Sequence, residues 1–515
     1  MPREVEAFWP DLAACLHDAR LEFWIAFMSR GRRNLAYGRY CFGLLSVASA
    51  VFLLSLFITF CFTSPAEALP SFARQTGQPC GACHTDFAGL TPYGRRFKIG
   101  GYTYGGGAYR TTLFPSSDDA ASDEKKKWVP PISMMALTEY THLQTDLPPP
   151  TAPYSANDNV LLSTLSFFWG GAITDHLGAF SQVTYNPPGP GGFGTDPFAA
   201  HTWHWDNTDV RYADSANIGR FNVTYGVTAN NSPTVQDPWN TTPAWSFPYA
   251  FSFFSPGFGS TPILDGAFAQ QVAGVGAYAF VNDLLYLETT VYHSLDPNTL
   301  NSLGTDPFDT GVGRFDFAPY WRLAFEPHWG RNWLEIGTFG MTANINPWVN
   351  PGTADTSVFS QTDKFTDIGV DTQYQYQGEN YWLTLRGSWI HEYQKLDASF
   401  FNTLSGNPAN ELNEARAYAS FAYGNDNRVI LTGQYFNSWG NPDSILYAAN
   451  ANFSPNTNGW IAEIAYIPFI SSQAPGWPWF NARIGLQYTW YNEFNGTSVG
   501  ASANNSLYLY LWMAM

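Results

Sequence analysis

The feature that most constrains this chain is a series of short segments, from residue 130 onward, in which apolar and polar residues alternate. Sixteen such segments are separated by stretches rich in Gly, Asn, Asp and Pro. This alternation predicts β-strands with one apolar and one polar face. The predicted strands are 131–144, 159–172, 176–186, 204–213, 217–228, 267–280, 283–294, 316–326, 332–343, 365–376, 380–392, 413–424, 427–437, 459–468, 480–491 and 505–515.

The connections between the predicted strands alternate between short and long. Tight turns such as "TDH" near Asp175, "DSAN" at Asp214 and "ND" at Asn282 follow even-numbered strands. Long loops such as 229–266 and 344–364 follow odd-numbered strands. An antiparallel barrel with an even number of strands has its termini and short turns on the periplasmic side and its long loops outside. The chain is therefore predicted to form an all-β, transmembrane antiparallel barrel of about sixteen strands.

The composition agrees with a barrel and excludes other classes. Phe, Trp and Tyr make up 17% of the chain and charged residues only 13%, about half the usual charged share. After residue 68 no apolar run is long enough for a membrane-spanning helix, which excludes a helical bundle. A soluble propeller would require a repeat of about 40–50 residues, which the sequence lacks. The net charge of −17 argues against nucleic acid, and outer-membrane lipid is the expected environment of the barrel.

The first 68 residues are predicted to be an export signal. A basic segment precedes the apolar run 40–62, and "SPAEA" ends at a predicted cleavage site after Ala68. The apolar run is longer than the roughly 7–15 residues of a usual signal core, so an uncleaved anchor is the alternative. Residues 1–27 do not resemble an export signal, and translation is expected to start at Met28.

Export leaves only two cysteines, Cys80 and Cys83, in the sequence "CGACH". This spacing is typical of c-type haem attachment, with both thiols forming thioethers and His84 as the proximal ligand of the iron. A zinc site would need further ligands, and neither a second Cys pair nor a His-x-His follows nearby. A thioredoxin-like site would need a βαβ context, which is absent. The sequence therefore predicts one covalently attached haem c.

The second axial ligand is left open by the sequence. Neither His nor Met occurs between residues 85 and 133, so the iron is either five-coordinate or ligated from further along the chain. The candidates are Met134, Met135 and His142, in "PPISMMALTEYTHLQ". Their alternative role is packing within the first strand. Glu139 shares strand parity with Met135, which suggests that this face of the strand looks into the lumen.

Arg95 and Arg96 follow the motif and are candidates to pair with the haem propionates. Their alternative role is to line the barrel. Residues 69–130 are Gly-rich and end in the charged run "SSDDAASDEKKKW", which predicts a small haem-bearing plug and a tether ahead of the barrel at 131–515. Carboxylates of the long loops, Asp237 among them, are candidates to attract Fe(II).

The stretch "CGACHTDFAGLTPYGRRFKIGGY", followed by a linker, "PPISMM" and an aromatic-rich barrel, resembles the fused monohaem cytochrome–porin proteins of the outer membrane of iron(II)-oxidising bacteria. The resemblance implies an iron(II)-oxidising cytochrome located in the outer membrane of a Gram-negative bacterium. Extracellular Fe(II) would reduce the barrel-embedded haem, which would pass the electron to a periplasmic c-type cytochrome or another electron carrier. Two alternatives are an outward-directed reductase of the same layout and a solute porin with a haem-bearing plug.

Overall fold

The computed structural model describes residues 69–114, 126–188, 203–305, 315, 317–347 and 361–515. The predicted export signal, residues 1–68, lies outside these ranges. Among the described residues, no helix has the length and apolar character that a membrane crossing requires.

Sixteen strands of 8 to 16 residues form the framework of the described part of the chain. They are β1 Ile132–Leu143, β2 Asn159–Ala172, β3 Leu177–Tyr185, β4 Trp203–Ile218, β5 Phe221–Asn230, β6 Val272–Val281, β7 Leu285–Ser294, β8 Ala318–Phe325, β9 Asn332–Ile345, β10 Asp363–Gln377, β11 Tyr381–Lys395, β12 Ala409–Tyr423, β13 Arg428–Gly440, β14 Thr457–Ile467, β15 Asn481–Glu493 and β16 Ser506–Ala514. A two-residue strand, His328–Trp329, also pairs with the start of β9.

The strands close into a barrel. Each strand pairs antiparallel with the next one along the chain, and β16 returns to pair with β1 from Met135 opposite Ala514 to Leu143 opposite Ser506. Closure leaves no unpaired sheet edge. The predicted sixteen-strand antiparallel barrel is confirmed, and each of the sixteen strands overlaps its predicted span.

The hairpin between β4 and β5 differs from the prediction. The turn was expected at "DSAN", but the strand continues through Asp214 to Ile218, and the turn is formed by Gly219 and Arg220. Gly219 has a φ of +62°, a conformation that glycine adopts without steric cost. The prediction was wrong because the ladder of backbone hydrogen bonds continues through polar residues that resemble turn sequence.

The two faces of the strands are polar inside and apolar outside. In β10, Asp367 and Asp371 face the lumen and are buried, whereas Ile368 and Val370 between them face outward with exposed fractions of 51% and 46%. This arrangement inverts that of a soluble barrel and is typical of strands that face lipid.

The long connection between β5 and β6, residues 231–271, lies inside the barrel. The sequence predicted an external loop at 229–266, and that prediction was wrong. Trp239 is fully buried, and its indole N–H donates to Glu326, the residue directly after β8. Asn240 donates to the carbonyl of Ala88 across 2.5 Å. Polar residues of the loop thus find partners on the wall and on the N-terminal segment, which keeps the loop inside.

The N-terminal segment contains three short helices: α1 Pro70–Thr76, α2 Cys80–Cys83 and α3 Pro92–Ile99. It packs against the inner wall at the end of the barrel that carries the short turns. The amide of Ser71 donates to the hydroxyl of Ser133 in β1, and the amide of Gly81 donates to the carbonyl of Ile470 in the turn after β14. The remaining helices lie in connections: α4 Pro297–Ser302, α5 Asp397–Phe401 and the 3-10 turns Pro243–Trp245, Ala451–Phe453 and Ala501–Asn504.

Candidate functional site

The Cys-x-x-Cys-His sequence forms a single helical turn. Cys80–Cys83 make up α2, and the amide of His84 closes the turn by donating to the carbonyl of Cys80 at 2.8 Å. Cys80 is buried, Cys83 is partly exposed, and the two thiols are not joined in a disulfide. Burial raises the pKa of Cys83 to about 12, so its thiol is protonated at neutral pH. One turn therefore presents two reduced thiols with an imidazole directly after them.

The imidazole of His84 is in the form that binds a metal. Burial lowers its pKa to about 4, the charge of Arg428 acts in the same direction, and a backbone interaction with Gly89 opposes them. The ring is therefore neutral at physiological pH, and neutral imidazole is the ligand form. Nδ1 is buried without a hydrogen-bond partner, while the side chain as a whole is partly exposed. The two thiols and this imidazole fit the attachment of haem c.

Helix α3 holds the motif from one side. The hydroxyl of Thr91 donates to the carbonyl of Ala82 at 2.5 Å, and its amide donates to the carbonyl of Cys83 at 2.9 Å. A Cβ atom on Gly94 would lie 2.3 Å from that carbonyl of Cys83. Only glycine permits this approach, so "TPYG" is the local sequence that lets α3 pack on the motif.

The barrel wall holds the motif from the other side. Asp86 forms an ion pair with Arg483 of β15 at 2.7 Å, and both side chains are almost completely buried. Phe87 packs edge-to-face on Trp512 of β16, with ring centroids 5.5 Å apart. The residues that follow His84 are therefore fixed to two adjacent strands.

Arg95 and Arg96, the sequence candidates for the propionates, both contact Glu326. Nε of Arg95 lies 2.9 Å from a Glu326 carboxylate oxygen, and Nη1 of Arg96 lies 3.3 Å from the other. Arg96 also pairs with Asp283 at 3.1 Å, and Arg95 donates to Gln375 at 2.6 Å. The structure thus places both guanidinium groups in ion pairs with the barrel.

The candidates for the second axial ligand lie on different faces of β1. Met135 shares the lumen-facing parity of Glu139, a buried residue that accepts a hydrogen bond from the amide of Phe253 in the inward loop. Met134 has the outward parity. His142 is exposed, with Nδ1 2.8 Å from Asp158. The structure does not bring His142 to the motif, and of the three candidates only Met135 faces the lumen.

The sequence interpretation missed a row of carboxylates that face the lumen. Asp363, Asp367 and Asp371 recur at every fourth residue on the inner face of β10, and Glu392 of β11 is the cross-strand neighbour of Asp367. The signal was present in "DKFTDIGVD", where the spacing puts all three on one face.

Asp237, expected on an external loop, is instead buried in an ion pair with Arg322 at 3.0 Å. In the described ranges, no three His, Cys, Asp or Glu side chains form a group that could hold a metal ion.

No protein-family model matches the sequence, and no curated protein matches it significantly. Solved structures that align with the chain include OprB of Pseudomonas putida, at 11% identity, 74% of this chain, 93% of that chain and a TM-score of 0.40. An anion-selective porin from Comamonas acidovorans aligns at 10% identity, 74% of this chain, 98% of that chain and a TM-score of 0.40. OmpT of Vibrio cholerae aligns at 9% identity, 74% of this chain, 96% of that chain and a TM-score of 0.38. The fold assignment rests on the strand pairing itself.

Proposed function

We propose that this protein is an electron conduit of the bacterial outer membrane that oxidises extracellular Fe(II) and passes electrons to a periplasmic carrier such as a c-type cytochrome. One haem c, attached through Cys80 and Cys83 and ligated by His84, would supply reversible one-electron chemistry. The observation that carries the proposal is the position of this motif, a single helical turn held against the wall of a closed barrel.

The outer face of the barrel supports a membrane location. Large apolar side chains are exposed there in several strands, including Val275 at 63%, Ile336 at 55% and Leu431 at 52%. A soluble protein rarely exposes apolar surface on this scale, whereas a barrel with a polar lumen and apolar exterior is stable in lipid.

The filled lumen favours passage of electrons over passage of solutes. The N-terminal segment occupies the short-turn end, and residues 231–271 lie between it and the long-loop end. Lys98 joins the two, because its ammonium donates to the carbonyls of Val235 and Asp237 at 2.7 and 2.8 Å. The apolar core of a membrane is only about 30 Å thick, so an electron acceptor held inside the barrel lies near both surfaces.

The negative charge of the chain favours the approach of Fe(II). The whole chain has a net charge of −17. Oxygen ligands suit divalent cations such as Fe(II). We place Met135 ahead of Met134 and His142 as the second axial ligand, because it faces the lumen.

The proposal is tested by mixing the purified protein with Fe(II) under anaerobic conditions and recording the visible spectrum. We expect the absorbance bands of a reduced c-type haem to develop. Covalent haem that Fe(II) fails to reduce at any accessible pH would contradict iron oxidation but not electron conduction. An outward-directed reductase would then be tested by oxidising the reduced protein with an extracellular acceptor. Absence of covalent haem would overturn the proposal, and solute flux through liposomes would favour a porin.

A further inference from the structure

Six arginines of the described strands lie on the lumen face, and most of them are neutralised. Four form ion pairs with carboxylates, namely Arg211 with Asp209, Arg322 with Asp237, Arg416 with Asp265 and Arg483 with Asp86. The other two, Arg386 and Arg428, have no carboxylate within ion-pair distance among the described residues. The guanidinium of Arg428 donates hydrogen bonds to backbone carbonyls, including that of His84 at 2.8 Å.

One guanidinium nitrogen of Arg386, in β11, has no hydrogen-bond partner, although the guanidinium lies over the ring of Tyr418. Its Nε donates to Gln373 at 2.7 Å, and its Nη1 donates to the hydroxyl of Tyr249 at 2.8 Å. Both partners are neutral. Nη2 is buried and makes no hydrogen bond. A buried guanidinium that lacks an anion is costly, and the cost falls when an anion arrives.

The unpaired nitrogen lies beside the haem-motif segment. Nη2 of Arg386 is 3.7 Å from the position that a Cβ on Gly89 would occupy, and the hydroxyl of Tyr249 is 3.4 Å from the same point. Gly89 follows His84 by five residues. Arg386 also lines a small cavity together with Asn240 and Ser246. Among the arginines of the described strands, Arg386 is thus the one that lacks a carboxylate and also has a nitrogen without a hydrogen bond, and it lies beside the segment that follows the haem motif.

We propose that Arg386 is the partner of a haem carboxylate and that its charge raises the reduction potential of the haem. The inference rests on the proposed attachment of haem. Arginine pairs strongly with carboxylates because its N–H groups match their geometry. This assignment replaces the expectation for Arg95 and Arg96, whose two charges Glu326 and Asp283 already balance.

The experiment is an equilibrium redox titration of the purified holoprotein and three variants. Arg386→Gln removes the charge, Arg386→Lys retains it, and Arg96→Gln removes a charge that Asp283 and Glu326 already balance. We expect Arg386→Gln to shift the reduction equilibrium about tenfold toward the ferric form, which is 59 mV for one electron. Arg386→Lys and Arg96→Gln should stay close to the wild type.

Equal shifts in Arg386→Gln and Arg96→Gln would show a general effect of net charge and overturn the assignment. An unchanged potential in Arg386→Gln, with haem retained, would also overturn it while leaving the proposed function intact. Should Arg386→Gln fail to fold, Arg386→Lys decides the test. A reduction equilibrium shifted about tenfold toward the ferric form in Arg386→Lys would contradict the charge effect, and one near the wild type would support it. A wild-type protein without haem would overturn both proposals.

Discussion

The guanidinium of Arg428 donates a hydrogen bond to the backbone carbonyl of His84, with 2.8 Å between Nη1 and the oxygen. A second bond, at 3.0 Å, reaches the carbonyl of Thr85. Arg428 is the first residue of β13 and is almost completely buried. The residue expected to bind iron is therefore anchored to the barrel wall through its own backbone.

Replacing Arg428 with Met should loosen the motif and leave the barrel closed. A hydrogen bond from a charged group is worth about 1.5–3 kcal/mol, so losing two should raise the population of the locally opened motif by about 100-fold or more. Amide hydrogen exchange of residues 80–90, followed by mass spectrometry, measures this opening. Arg220→Met, in the exposed turn after β4, is the matched control. Equal exchange in both variants would show that Arg428 is not an anchor.

Cys80→Ser combined with Cys83→Ser should abolish covalent haem attachment, because serine cannot form the thioethers. Haem that remains with the chain on a denaturing gel, detected by its peroxidase activity, is the measurement. His142→Asn is the control, since His142 is exposed and faces Asp158; it should keep haem and its spectrum. Haem retained by the double variant would contradict the attachment site.

The two methionines of β1 offer a paired test of the second axial ligand. Replacement by Leu conserves volume and usually costs less than about 1.5 kcal/mol. Met135→Leu should change the ferric haem spectrum and lower the reduction potential, because a methionine ligand raises it. Met134→Leu, on the outward face, should alter neither. Wild-type behaviour of Met135→Leu would place the second ligand elsewhere.

Lys98 predicts a pH dependence of stability. Burial lowers its pKa from 10.5 to about 7. Between these values the unfolded chain binds a proton that the folded protein does not, so stability should rise as pH increases from about 7 to 10.5. Below pH 7, Lys98 is protonated in both the folded and the unfolded protein and does not contribute to the pH dependence of stability. Unfolding midpoints in denaturant, measured by tryptophan fluorescence from pH 7 to 10, should rise less in Lys98→Met. Parallel curves would refute this assignment.

The strands were predictable from sequence because lipid outside and a polar lumen inside impose alternation on every strand. Closure followed from the even strand number and the alternating loop lengths. The turn at Gly219 was missed because polar strand residues such as Asp214 resemble turn sequence, although their backbone groups stay in the ladder.

The interior was much less predictable. The inward path of residues 231–271 depends on contacts such as Trp239 with Glu326, which lie 87 residues apart in the chain. The pairing of Arg95 with Glu326 spans an even longer separation. Local patterns carry no information on such partners. The Cys-x-x-Cys-His motif, by contrast, could be found in the sequence because its residues are close together in the chain.

The most direct test of the account uses the protein reconstituted in liposomes with its haem, with an electron acceptor such as oxidised cytochrome c enclosed and Fe(II) added outside. We predict reduction of the enclosed cytochrome without leakage of solutes, and no reduction with the Cys80→Ser, Cys83→Ser variant. Enclosed cytochrome that stays oxidised while haem is present, or that is reduced equally well by the variant, would contradict the claim that this barrel conducts electrons from Fe(II).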